Sequence, residues 1–100
     1  MSDAGDVKQV RKKKDKRQAK RDQELDDLRH LLDTAGGRNF IWRLLQKCGV
    51  YHTSFVAEST SETSFNEGKR QMGLWTLEEL FDASPHTYAL MQKENRKTNE

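Results

Sequence analysis

From Lys8 to Ala35 the chain contains neither proline nor glycine, and Lys, Arg, Gln, Glu, Ala and Leu dominate the run. These residues lose little freedom in a helix, so the stretch predicts one long α-helix over about residues 8–34. Met1 to Val7 is expected to be a disordered lead. The two halves of the helix differ. Lys8 to Arg21 carries nine basic residues against Asp15 alone and has no apolar face. Asp22 to Asp33 carries five acidic residues against Arg29, and Leu25, Leu28, Leu31 and Leu32 recur there at spacings of three and four, the stripe of a helix that docks. The order predicts a projecting basic arm over residues 1–24 and an anchored domain over residues 25–100.

The rest of the chain reads as three short helices. Phe40, Ile41, Leu44, Leu45 and Cys48 fall at helical spacing over about residues 38–48, with Ala35-Gly36-Gly37 expected to end the helix before them. Gly49 can supply the left-handed residue that stops this helix, with Val50 folding back on Leu45. Tyr51 to Val56 is expected to be extended, and Glu58 to Thr63 a polar loop. Ser64 and Glu67 have capping-box spacing and predict a helix over about residues 65–82. That helix shows Phe65, Met72, Leu74, Trp75, Leu77, Leu80 and Phe81, a face wide enough for two neighbours. Gly68 and Gly73 inside it each cost about 1 kcal/mol relative to Ala, so close approach of another helix is expected at both. Ser84-Pro85 starts a last helix over about residues 85–96, lined by Tyr88 and Met91. The fold class is all-α: a small three-helix core preceded by a long, half-basic helix.

Such a core is small. A domain of about 60–70 residues buries only about 60% of its unfolded surface, which favours association. The packing and interface residues expected from the pattern are Phe40, Trp42, Leu44, Leu45, Phe55, Phe65, Trp75 and Tyr88, the tryptophans as core or interface residues rather than ligand stackers. Arg38, Glu67 and Arg70, charged residues among apolar and small ones, are expected to form an ion network joining the second and third helices.

Chemistry is sparse. The single cysteine excludes an internal disulfide, and no secretory signal or apolar span is visible. Cys48 and His52 are four apart, but Gly49 separates them, and paired ligands of the zinc type are missing. His52, Thr53 and Ser54 are merely adjacent, and no GxSxG, HExxH or P-loop pattern is present. No enzyme activity, metal or other cofactor is expected. The cations Lys8, Arg11, Lys12, Lys13, Lys14, Lys16, Arg17, Lys20 and Arg21 suit a polyanion, bound through charge without reading base sequence. DNA and an acidic protein wall fit them equally. Lys69, Arg70 and Gln71 make at best a weak recognition helix.

Three ordered blocks carry a resemblance: GRNFIWRLLQKCGVYHTSF, TSFNEGKRQMGLWTLEELF and SPHTYALMQKE. The chain resembles a family of small tailed-bacteriophage proteins named from a Bordetella phage gene product. Its pattern falls on Gly37, Arg38, Phe40, Trp42, Leu44, Leu45, Cys48, Gly49, Val50, Ser54 and Phe55. It continues through Phe65, Glu67, Gly68, Arg70, Gly73 and Leu74 to Pro85, Tyr88 and Met91. The likeness covers about Ala35 to Glu94 and leaves the basic helix outside. It implies a product encoded among head and tail genes, with no enzymatic activity. The expected role is a minor structural or internal component of a tailed-phage virion, made in the host bacterial cytoplasm and multimeric in an assembly. Expected partners are other virion proteins of portal, head or tail and, for the arm, non-specific DNA; no membrane or small-molecule substrate is expected. The alternative is a phage-encoded nucleic-acid-binding regulator or accessory factor not retained in the particle.

Overall fold

A computed structural model describes residues 4–52 and 54–96. They form α1 (Ala4–Leu32), α2 (Ala35–Cys48), α3 (Thr60–Ala83) and α4 (Thr87–Arg96). The fold is all-α. Helices α2 and α3 make the largest interface, and each also touches α1 and α4. The radius of gyration is 19.1 Å, against about 13 Å for a compact chain of this length. The excess comes from α1, whose first turns run past the other three helices.

Local chemistry sets the boundaries. The first helix begins at Ala4, inside the expected disordered lead, and ends at Leu32. Ala35-Gly36-Gly37 opens α2 instead of closing α1, because the Thr34 hydroxyl accepts from the Gly37 N–H at 3.1 Å and caps the new helix. Gly49 has φ 70° and donates its N–H to the Gln46 carbonyl, the expected left-handed stop. Val50 then packs against the core that contains Leu45.

The third helix starts earlier than the capping-box spacing suggests. Ser59, not Ser64, is the cap: its hydroxyl accepts from the Glu62 N–H at 3.2 Å. The stretch Ser59-Thr60-Ser61-Glu62 has the same Ser-x-x-Glu spacing one turn and a residue upstream. Thr63 holds the approach segment, accepting from Val56 N–H at 2.9 Å and bonding the Ser59 carbonyl at 2.8 Å. Most of the expected polar loop is therefore helix. Ser84 is a shared joint, donating its N–H to Leu80 at the end of α3 while its hydroxyl meets that of Thr87 at the start of α4.

Among the described residues the buried hydrophobics are Leu32, Ile41, Leu45, Leu80, Ala83 and Met91. Leu28, Trp42, Val50, Leu77 and Tyr88 pack around them, half-buried. Leu31, expected in the stripe of α1, is exposed instead. Spacings of three and four admit both neighbours to a stripe, and the crossing with α2 and α3 selects Leu32. The wide face of α3 is only half covered: Phe65, Met72, Trp75 and Phe81 stay exposed.

Gly73 fulfils the close-approach expectation and Gly68 does not. A Cβ on Gly73 would lie 2.6 Å from Cys48 Cβ and closer still to Val50 Cγ1, whereas one on Gly68 would meet open space. Gly73→Ala should therefore lower stability by about 1–3 kcal/mol through overpacking at the α2–α3 crossing. Gly68→Ala should be neutral or stabilising through helix propensity. Urea titrations of both variants check this; equal midpoints would contradict the close contact. Trp75 is 54% exposed, so Trp75→Ala should cost about 1 kcal/mol or less, against about 3–5 for a buried tryptophan. The same titration decides it.

Candidate functional site

Two surfaces stand out: the cationic arm of α1, and the uncovered apolar faces of α2 and α3. The arm is fixed to the body by Arg21. Its guanidinium reaches across to α3 with both terminal nitrogens on the Glu79 carboxylate, one at 2.9 Å, and donates to Asp82 Oδ2 at 3.0 Å. Such a forked arrangement fits Arg better than Lys. Arg21 therefore belongs to the anchor rather than to the expected polyanion-binding set. The remaining eight cations, Lys8 through Lys20, are all exposed on the overhanging helix. Within it Arg17 makes a local 3.4 Å contact with the Lys13 carbonyl.

The expected Arg38–Glu67–Arg70 network is not brought together as one unit. Arg38 pairs instead with Glu94 of α4, Nε to Oε1 at 2.9 Å and Nη2 to Oε2 at 3.1 Å. Its Nη1 also donates to the Leu32 carbonyl at 3.0 Å. One side chain thus satisfies the C-terminal end of α1 and ties it to α4. Glu67 and Arg70 are neighbours on α3 at 3.7 Å. Glu67 receives a short hydrogen bond from the Ser54 hydroxyl and another from Gln71 at 2.9 Å. Ser54 is thus tied to Glu67 through its hydroxyl, and Asn66 donates to its carbonyl at 3.4 Å. Thr53 lies outside the described residues.

Arg29 repeats the device seen at Arg38. Its Nε donates at 2.6 Å to the carbonyl of Ala83, the last residue of α3. Two arginines from other helices thus serve carbonyls that have no intrahelical partner. The sequence showed the arginines but not these partners, because helix–helix registry decides which carbonyl each reaches.

These pairs have a pH signature. The hydrogen bonds from Arg21 hold the Glu79 carboxyl below its ordinary 4.5, and those from Arg38 do the same for Glu94. The Ser54 hydroxyl, then Gln71, lowers Glu67. A lowered folded-state value means that the contribution is complete above the unfolded value of about 4.5 and is lost as pH falls through the folded value. The urea midpoint should therefore be level at and above pH 6 and drop on the acid side. Glu94→Gln should flatten part of the drop. A midpoint insensitive to acid would contradict the pairings.

The aromatic side chains divide in two. Trp42 sits between Tyr51 and Tyr88, ring centroids 6.3 and 6.2 Å away, and Phe81 packs on Tyr88 at 5.3 Å. The Tyr51 and Tyr88 hydroxyls share a short hydrogen bond, which pins the chain leaving α2 to α4. Leu45 is fully buried, and Trp42, Leu44 and Tyr88 are half-buried. Phe40, Phe55, Phe65 and Trp75, expected as packing or interface residues, are more than half exposed. Arg43 lies over the Phe40 ring and Lys69 over the Phe65 ring, at 5.8 and 5.1 Å. Lys69, Arg70 and Gln71 are thus engaged locally on α3.

A groove of about 370 Å³ opens where α1, α2 and α3 meet. Its walls include Leu25, Leu28, Leu44 and Trp75, and Glu24, Asp27 and Glu79 stand around it. Among the described residues no group of three or more His, Cys, Asp and Glu side chains is placed to hold a metal ion. Cys48 and His52 border a shallow recess with Ser54, Asn66 and Lys69. No described helix is long and apolar enough to cross a membrane.

The described residues thus form a small all-α body with a cationic helical arm and large apolar side chains left outside. The chain belongs to the Bbp19-like phage protein family, whose model matches residues 28–93. That span begins within the leucine stripe of α1 and takes in all of α2 and α3 and most of α4, leaving the arm outside. No curated protein and no solved structure matches the chain.

Proposed function

We propose that this phage protein is a minor structural or internal component of the virion and acts by packing against other virion proteins. The observation that carries the reading is the imbalance between its core and its surface. Six buried hydrophobics hold the described fold, while Phe40, Phe55, Phe65, Met72 and Trp75 remain at 53–68% exposure. Large rings in water are a standing cost that burial against a partner removes, at roughly 25 cal/mol per Å². The cations of α1 supply a second mode of attachment, electrostatic and long-ranged, suited to packaged DNA or an acidic wall of a neighbouring protein. This role requires no catalysis and no cofactor. The protein is made in the host cell and carried in the particle.

The test separates fold from attachment. Phe40→Ala, Phe65→Ala and Trp75→Ala should each leave the unfolding midpoint close to wild type, because these side chains stand largely outside the core. At least one should sharply reduce recovery of the protein in purified particles. Recovery of all three at the wild-type level would overturn the packing role of these faces.

A further inference from the structure

The first turns of α3 carry an apolar seam that the fold leaves uncovered. Ser61, Phe65, Gly68, Met72 and Trp75 follow one another at alternating spacings of four and three, the narrow stripe of a coiled-coil helix. All five are exposed. Arg21 and Arg29 tie α1 to α3 at Glu79, Asp82 and Ala83, and Cys48 of α2 meets it at Gly73, off the seam. Trp75 stands at the edge of the groove beside α1, so the clear length runs from Ser61 to Met72. Gly68 lies in the middle of it. A glycine inside a helix costs about 1 kcal/mol relative to Ala. A Cβ on Gly68 would meet open space, so no contact within the fold offsets that cost. The flanks of the seam differ, with Glu62 and Lys69 on one side and Ser64 and Gln71 on the other, all four exposed.

We propose that this seam is covered by the same seam of a second copy, the two α3 helices pairing antiparallel about a two-fold axis level with Asn66 and Glu67. In this register Phe65 of each copy enters the hole left by the other's Gly68, and each Met72 lies over the other's Ser61, as knobs enter holes in a coiled coil. A two-fold antiparallel pair brings each flank against its own equivalent. Glu62 therefore meets the second copy's Lys69, and Lys69 its Glu62, while Ser64 meets Gln71 along the other flank. Charge complementarity selects this arrangement. A parallel pair would set Lys69 beside Ser64 and leave Glu62 without a cation. Sliding by one heptad to stack Phe65 on Trp75 would bring the two Lys69 side chains together. Within one chain Lys69 already lies over the Phe65 ring at 5.1 Å, which holds its ammonium at the edge of the seam. The contact closes on itself and leaves Phe40, Trp75 and the cations of α1 to other partners. The dimer does not depend on the virion role proposed above.

Sedimentation equilibrium of the full chain, freed of nucleic acid, tests it. The seam is short, at the small end of specific interfaces and below about 1,200 Å² in total, so the measurement is made at about 100 µM. Wild type should show twice 11.7 kDa there. Gly68→Arg places a strong helix former where the free fold has open space. The unfolding midpoint of the dilute variant should therefore hold or rise while the doubled mass is lost. Glu62→Lys and Lys69→Glu should each give monomer, because each sets like charges together twice; circular dichroism confirms that both remain folded. Mixing these two variants should restore the doubled mass, since each flank then meets the opposite charge. A single chain bearing both changes should dimerise again by itself. A monomeric wild type, a dimer that survives Gly68→Arg, or a mixture of the charge variants that stays monomeric would each overturn the pairing. Particle incorporation by a monomeric wild type would overturn the pairing alone and leave the virion role standing.

Discussion

Replacing Leu45 by Ala is expected to lower the stability of the free protein by about 2–5 kcal/mol, and Leu80→Ala by a similar amount. Both side chains are fully inaccessible to solvent at the crossing of α2 and α3. A single core in a folded body of about 70 residues, the size of the part from Leu25 onward, rarely supplies more than about 3–5 kcal/mol. Either truncation should therefore leave a large unfolded fraction at 37 °C. Denaturant titration followed by circular dichroism measures it. A loss below about 1 kcal/mol would mean that the helices are held mainly by their polar ties, Arg21–Glu79 and Arg38–Glu94, and not by this core.

Removing Met1 to Lys20 is expected to abolish binding to DNA while leaving the unfolding of the body nearly unchanged. The cut stops before Arg21 because that residue fastens α1 to α3. Eight cations are lost against Asp15 and two further acids near the start of the chain. Each phosphate neutralised contributes about −0.9 to the slope of log K against log[salt] on duplex DNA. The intact chain should therefore lose affinity steeply with salt and show little preference among base sequences. A flat salt dependence, or full DNA retention by the shortened chain, would contradict DNA as the arm's partner. A shortened chain that binds DNA as well as before yet fails to enter particles would direct the arm to an acidic protein surface.

The element order was legible in the sequence because each helix carries its own signal. The breaker-free run gave α1, Gly49 the end of α2, and Ser84-Pro85 the joint before α4. What the sequence misjudged were competitions between equal local signals. Ser59 and Ser64 both offer a Ser-x-x-Glu cap, and Thr63, bonded back to Val56 and Ser59, favours the earlier one. Thr34 similarly turned a glycine pair from a helix end into a helix start. The leucine stripe of α1 could not rank Leu31 against Leu32, since the angle at which α2 crosses decides that.

Charged partners were the least legible part. Arg38 was placed with Glu67 and Arg70 because all three lie in apolar or small-residue contexts, yet it reaches Glu94, far along the chain. Arg21 looked like one more cation of the arm, and only the approach of α3 reveals Glu79 and Asp82 as its partners. Long side chains span more than one turn of a neighbour, so sequence spacing within one helix carries no information about a pair between two. The exposed rings pose the opposite case. Periodicity places Phe65 and Trp75 on an apolar face of α3, and the fold leaves both rings more than half exposed.

Mass spectrometry of density-purified particles, beside the unassembled fraction of the same infected cells, tests the virion role most directly. The protein is expected to remain with the particles at a fixed ratio to the major head protein through successive gradients. Its absence from particles, with abundant protein free in the infected cell, would contradict the role and favour a regulator or accessory factor that is not retained.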